Sequence, residues 1–183
     1  MSNGRRVVVT AGADGIGLAI TKAIAANGDR MYICDINEQA VKQVTDDNPA
    51  ITGTVCDVSS RSSVEAFVQA AASTLGGIDV LINNAGISGP TARVEEMDPD
   101  QWDAVLAVNL TGTFNATRLS IPFLKKSDAG VIIIMSSVGG RFGYPDRSPY
   151  ATTKRGLIGL TETLAIELGG DGIRVNAIAP GAE

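Results

Sequence analysis

Six short stretches of the chain are apolar almost without interruption and rich in β-branched residues. They are 5–10 (RRVVVT), 29–35 (DRMYICD), 50–57 (AITGTVCD), 78–83 (IDVLIN), 130–136 (GVIIIMS) and 172–179 (GIRVNAIA). Apolar runs without polar alternation suit strands covered on both faces, as in a parallel sheet packed between helices. The stretches between them are longer and carry apolar residues at helical spacing. They predict helices near 15–27, 37–47, 60–75, 99–126 and 149–168. Regular strand–helix alternation reads as one doubly wound α/β domain, a three-layer αβα arrangement.

The last helix has clear punctuation. Ser148 is expected to cap it, Pro149 suits its first turn, and Gly169-Gly170 ends it. Its core-facing positions are expected at Leu157, Leu160, Leu164 and Leu168. Near its start stand Tyr150 and Lys154, four apart and so on one face. They draw attention because the chain of 183 residues contains no histidine, the usual side chain for moving protons near neutral pH.

Composition narrows the function classes. The formal net charge is −5, and no basic run exceeds two residues, so a nucleic-acid footprint is not expected. The N-terminal apolar segment is too short for a signal peptide. The longest apolar stretch, VIIIM at 131–135, is far short of a membrane span. Cys34 and Cys56 end two strand-like runs and read as small core residues rather than a disulfide. No metal site is expected. These features together predict a reduced, cytoplasmic protein that binds neither nucleic acid nor membrane.

The first strand is followed by TAGADGIG, Thr10 to Gly17, and then by a helix. A glycine-rich turn in that context brings backbone close to a pyrophosphate and aims helix-end N–H groups at its charge. Asp35 ends the second strand, 18 residues after Gly17, a place that suits a carboxylate accepting from the ribose hydroxyls of an adenosine. The same carboxylate, with Asp14 inside the turn, repels a 2′-phosphate. NAD(H) is therefore favoured over NADP(H).

At this point the chain resembles a classical short-chain dehydrogenase/reductase. The resemblance runs nearly end to end, through TAGADGIG (10–17), CDV (56–58), NNAG (83–86), Asn109 in VNLTGTF, SS (136–137), YATTK (150–154) and PG (180–181). It implies a Rossmann-type fold and an NAD-dependent oxidoreductase acting on a small-molecule secondary alcohol or its ketone. By that resemblance Gly12, Asp14, Gly15, Ile16 and Gly17 form the cofactor turn, and Asp35 with Ile36 follows the second strand. Asp57 meets the adenine amino group with Val58 alongside, Asn84, Ala85 and Gly86 support the cofactor ribose, and Pro180 and Gly181 close the set. Asn109, Ser137, Tyr150 and Lys154 match the catalytic tetrad. Ser137 is chosen over Ser136 because it stands 13 residues before Tyr150. Pairing in a homodimer or homotetramer is implied through the helices at 99–126 and 149–168.

The mechanism implied makes Tyr150 the general acid/base. A free phenol titrates near 10, so the role needs neighbouring positive charge worth roughly 3–4 kcal/mol. Lys154 and, in the oxidative direction, the nicotinamide ring supply it, and Lys154 also grips the nicotinamide ribose. Ser137 orients the substrate oxygen, and Asn109 holds a water that connects the lysine to solvent. The substrate pocket is expected along 87–93 (ISGPTAR) and 138–144 (VGGRFGY). In those segments Arg93 and Arg141 either meet an anion or stay solvated, and Trp102 packs within its helix.

Two departures from the family pattern stand out. Ala11 occupies the place of the turn's usual first glycine and adds a Cβ where unusual backbone angles are wanted. The sequence also stops at Glu183, whereas the resemblance implies a substrate-covering segment and a seventh strand. The expectation is a single NAD(P)-binding Rossmann domain over 1–183, cut short after the sixth strand and lacking the last edge strand. That shortfall keeps open an NAD-binding sensor or interaction protein with little turnover, whereas the intact Ser137–Tyr150–Lys154 set favours the enzyme. A nucleotide-sugar epimerase of the same fold is disfavoured, because those proteins carry a large additional substrate region.

Overall fold

The computed structural model describes residues 4–181, so the last two residues of the PGAE ending lie outside the described chain. All six expected strands form: β1 (Arg6–Thr10), β2 (Arg30–Asp35), β3 (Ile51–Val55), β4 (Val80–Asn83), β5 (Val131–Met135) and β6 (Arg174–Ile178). They pair in parallel, in the order β3-β2-β1-β4-β5-β6. The helices are α1 (Gly15–Ala25), α2 (Glu38–Asp47), α3 (Arg61–Leu75), α4 (Pro99–Leu106), α5 (Thr113–Leu124), α6 (Val138–Arg141) and α7 (Ser148–Gly169). The expected three-layer α/β architecture is present.

Alternation along each strand divides the core into two layers. Val8, Cys34, Leu81, Ile132 and Ile134 face Phe67 of α3, Leu124 of α5 and Leu157, Leu164 and Leu168 of α7. Val7, Val9, Met31, Ile33 and Ile82 face Val41 and Val44 of α2 and Ala25 of α1. Cys34 and Cys56 are buried free thiols, as expected, and burial raises the Cys34 thiol above its ordinary range. Leu160, the fourth expected core position of α7, is only half-buried against the first layer.

Helix starts follow local capping chemistry. The Asp14 carboxylate accepts from the Gly15 N–H, Asn37 from Ala40, Ser60 from Ser63, and Asp98 from Asp100 and Gln101. The start of α7 differs from the sequence expectation. Ser148 is its first residue rather than its cap, Arg147 takes the cap position without a side-chain bond, and the buried Ser148 hydroxyl has no partner. Pro149 does occupy the first turn.

The expected single helix over 99–126 is interrupted. Ala107–Gly112 forms a π-helical segment between α4 and α5. Its cause lies in Asn109, whose side chain leaves the helix to accept from the Ile87 N–H at 2.7 Å and donate to the Ile87 carbonyl at 2.9 Å. The Thr113 hydroxyl donates to the Asn109 carbonyl at 2.9 Å, satisfying a group displaced from the regular ladder. Such π segments often mark functional positions.

The turn after β1 carries measurable strain. Ala11 adopts φ 51, a left-handed conformation that disfavours a side chain. Gly15 also has φ 51, whereas Gly17 is needed for closeness: a Cβ there would collide with the Ala11 carbonyl oxygen. Ala11→Gly is expected to stabilise the protein by about 0.5–1 kcal/mol, the strain relief less the added freedom of the unfolded chain. Gly17→Ala is expected to destabilise it. Urea denaturation of both variants checks this, and an unchanged or lower midpoint for Ala11→Gly would refute the strain.

Candidate active site

The strand order reverses between β1 and β4, and in open α/β sheets ligands bind beyond the carboxyl ends of the strands at such a reversal. The two flanking turns are stitched together there. The Thr10 hydroxyl accepts from the N–H groups of Asn84 and Ala85 at 3.0 and 3.1 Å, and the Asn84 amide donates to the Ala11 carbonyl at 2.9 Å. Thr10 thus acts as a positioning residue that spacing alone did not single out.

A cavity of about 750 Å³ opens on this edge. It gathers eight of the expected residues: Ile16, Asn84, Gly86, Ser137, Tyr150, Lys154, Pro180 and Gly181. The remaining cofactor candidates lie outside its wall. Gly12, buried against Ile33, and the exposed Asp14 and Gly15 belong to the turn after β1 with Gly17, and Asp35 ends β2. The Asp35 carboxylate accepts from the Ala13 N–H at 3.3 Å and the Asn37 N–H at 3.2 Å, which points it at the turn. Ile36 is exposed beside it. Asp57 accepts from the Ser59 N–H and hydroxyl, while Val58 and Ala85 are buried.

Two serines follow β5, and their hydrogen bonds separate their roles. Ser136 is buried and donates its hydroxyl to the Lys154 carbonyl at 2.7 Å. The Ser137 hydroxyl oxygen accepts from the Gly139 N–H at 3.1 Å, which caps α6 and leaves its proton free for another acceptor. Sequence reading gave α6 only as part of a pocket loop, because VGGR has neither the length nor the periodicity of a helix. Its glycines answer a packing need: a Cβ on Gly140 would press on the α7 backbone at Lys154.

Lys154 is 5% exposed, and its ammonium donates to the Met135 carbonyl at 2.8 Å. It lies 5.7 Å from the centroid of the Tyr150 ring. Burial lowers its pKa from 10.5 to about 8. Gly86 leaves room for it, since a Cβ there would fall 3.2 Å from the ammonium and 3.3 Å from the Asn109 Oδ1. Asn109 is fully buried and does not line the cavity. Besides Ile87, its amide donates to the Thr153 hydroxyl at 3.1 Å, bracing the 87–89 connection against α7.

The expected pocket segments contribute Ile87, Ser88, Val138, Gly139, Phe142, Gly143 and Tyr144. Arg93 and Arg141 do not line it; both are exposed, and Arg93 stands 3.8 Å from Glu95. Trp102 is likewise outside the cavity, half-buried in α4. The arginine that does line it is Arg147, which sequence reading passed over. Its one sequence signal is its place three residues before Tyr150.

A dinucleotide fits what this edge offers. Gly17 lets the start of α1 lie against the Ala11 carbonyl and the Asn84 amide, the exposed Gly15 opens α1 with open space where a side chain would stand, and Asp35 stands at the next strand end. Among the described residues no group of side chains could hold a metal ion, and no helix is long and apolar enough to cross a membrane.

The short chain dehydrogenase family model matches residues 5–182. The chain is 41% identical to an uncharacterized oxidoreductase of Mycobacterium tuberculosis, over 98% of this chain and 73% of the relative. It is 38% identical to a 3-oxoacyl-acyl-carrier-protein reductase of Thermotoga maritima, over 97% and 74%. Among solved structures, a 3-ketoacyl reductase from Brucella melitensis complexed with NADH superposes with a TM-score of 0.95 at 32% identity, over 100% of this chain and 77% of that one. An actinorhodin polyketide ketoreductase variant with NADPH gives 0.93 at 33%, over 99% and 71%.

The low pKa of Lys154 has a consequence for stability. Between pH 8 and 10.5 the unfolded chain holds a proton on this residue that the folded chain has shed, so stability rises with pH across that window. Lys154→Met removes the effect. The stability of wild type relative to this variant is expected to rise by about 2 kcal/mol between pH 7 and pH 10 in urea titrations. Parallel pH profiles would contradict the burial of the ammonium.

Proposed function

The chain belongs to the short-chain dehydrogenase family, and on that premise we propose that it is an NAD-dependent enzyme interconverting a secondary alcohol and its ketone, with Tyr150 carrying the proton. The observation that supports this reading above the others is the meeting of Ser137, Tyr150 and Lys154 on one cavity at the strand-order reversal. A nicotinamide coenzyme bound along the turn after β1 would supply the two-electron chemistry that no side chain here carries.

The chain's own residues divide the remaining work. Ser137, whose oxygen is already engaged by the Gly139 N–H, donates to the substrate oxygen and orients it. Tyr150 takes the alcohol proton in oxidation and returns it in reduction. Lys154, whose ammonium lies 5.7 Å from the ring centroid, stabilises the phenolate because a nearby positive charge favours the ionised form. It has two further N–H donors beyond the one given to Met135, available to a ribose. Asn109 holds the Ile87 backbone and Thr153 in place, and the water-holding role expected of it remains part of this proposal.

The coenzyme preference rests on charge. Asp14 caps α1 and Asp35 faces the turn, and two carboxylates on this turn would repel a 2′-phosphate bound beside them, which supports NAD(H) over NADP(H). The two buried thiols accord with a reducing cytoplasm. The outer faces of α5 and α7 expose Phe114 and Ile166, in keeping with the homodimer or homotetramer proposed.

Secondary alcohols offered with NAD+ and followed by NADH absorbance test the activity. Tyr150→Phe is expected to lower turnover by about 10²–10⁴-fold while calorimetry shows coenzyme binding retained. Equal turnover by the variant refutes the proton assignment. NAD+ is expected to bind more tightly than NADP+, and Asp35→Ser to narrow the gap; tighter NADP+ binding by the wild type would overturn the preference.

A further inference from the structure

The cavity carries a charge pattern at odds with the chain as a whole. The protein has a formal net charge of −5, yet among the described residues no Asp or Glu lines the cavity, and the two charged residues that do, Lys154 and Arg147, are both cations. Lys154 is committed beneath Tyr150, with its ammonium on the Met135 carbonyl. Arg147 has no such commitment at one edge of its guanidinium. Nη1 donates to the Gly89 carbonyl at 2.9 Å and, more weakly, to the Ser88 carbonyl at 3.4 Å. Among the described residues neither Nε nor Nη2 has a partner, and no carboxylate pairs with Arg147.

The backbone beneath this side chain is held firmly. Ala92 and Arg147 form a parallel bridge, the Ala92 N–H donates to the Asp146 carbonyl at 3.0 Å, and Asp146 adopts φ 58 to make the turn. Pro149 then fixes the first turn of α7, which carries Tyr150. Arg147 is therefore set at a defined place relative to the proton carrier, between the 87–89 connection and the aromatic walls of Phe142 and Tyr144. A guanidinium anchored through one nitrogen leaves the Nε–Nη2 fork, whose two parallel donors match a carboxylate.

We propose that Arg147 determines substrate class: the alcohol or ketone carries a carboxylate a few bonds from the reacting carbon, and the Nε–Nη2 fork of Arg147 binds it. This rests on the oxidoreductase reading above. Ser137 and Tyr150 hold the reacting oxygen while Arg147 holds the acid, so the two contacts orient the carbon between them. An arginine serving only as a brace between connections would improve neutral and acidic substrates alike; one that reads a carboxylate discriminates between them.

The test pairs 2-, 3- and 4-hydroxy acids with their methyl esters, assayed with NAD+ on wild type, Arg147→Gln and Arg147→Lys. The wild type is expected to favour at least one acid over its ester. Arg147→Gln should lower the acid-to-ester ratio of kcat/KM by about 10–100-fold, chiefly through KM, and Arg147→Lys should recover part of it. An unchanged ratio in Arg147→Gln, or a wild type that favours every ester, overturns the proposal. Calorimetry of the same acids with the coenzyme-loaded protein separates the two readings. Acid binding that Arg147→Gln loses, without turnover of any compound, supports the carboxylate site and refutes the oxidoreductase reading. Turnover of esters with no acid binding does the reverse.

Discussion

A buried ammonium needs an acceptor, and the site is organised around the one that Lys154 finds at the end of β5. The Met135 carbonyl takes one of its protons, and a chain of small or precisely bonded residues makes the approach feasible. Gly86 leaves the space beside Nζ, Gly140 lets α6 lie on the α7 backbone, and Ser136 ties its hydroxyl to the Lys154 carbonyl. Desolvating a cation is costly, and its lowered pKa records that cost. What the protein gains is a fixed positive charge beside the Tyr150 ring, which a solvated surface lysine with its mobile stem would not provide.

The rest of the fold holds β5 and α7 at that separation and brings a crevice to them. The reversal of strand order separates the turns after β1 and β4, while the Thr10 hydroxyl and the Asn84 amide keep the two in register. On the other flank, Asn109 gives up regular helical geometry to grip Ile87 and reach Thr153. One side chain thereby links the wall of the cavity to the helix that bears Tyr150 and Lys154. Local strain is accepted at Ala11 and Asp146, both at connections that shape the crevice.

Much of this was legible from the residues. All six strands were, because continuous β-branched runs have few alternatives in a chain that alternates with helical periods. So was the grouping of Ser137, Tyr150 and Lys154, whose spacing places them on one strand end and one helix turn. Elements decided by tertiary contacts were not. The π segment depends on Asn109 finding Ile87, 22 residues away, and leaves no trace in the periodicity of 99–126. The α6 turn forms because Ser137 caps it and α7 supports it, not because VGGR favours helix. Ser148 has the chemistry of a cap, yet Pro149 and the bridged Arg147 place the helix start one residue earlier. Arg93 and Arg141 were as plausible as Arg147 on residue type alone; only the loop path turns Arg147 inward.

A crystal structure with NAD+ bound brings these relations to one observable geometry. The Tyr150 hydroxyl and the Ser137 hydroxyl should converge on a point about 3–3.5 Å from the reactive carbon of the nicotinamide ring, with the Lys154 ammonium still buried beside the phenol. A Tyr150 hydroxyl turned away from that ring, with the ammonium drawn off to solvent, would contradict the role assigned to the buried charge.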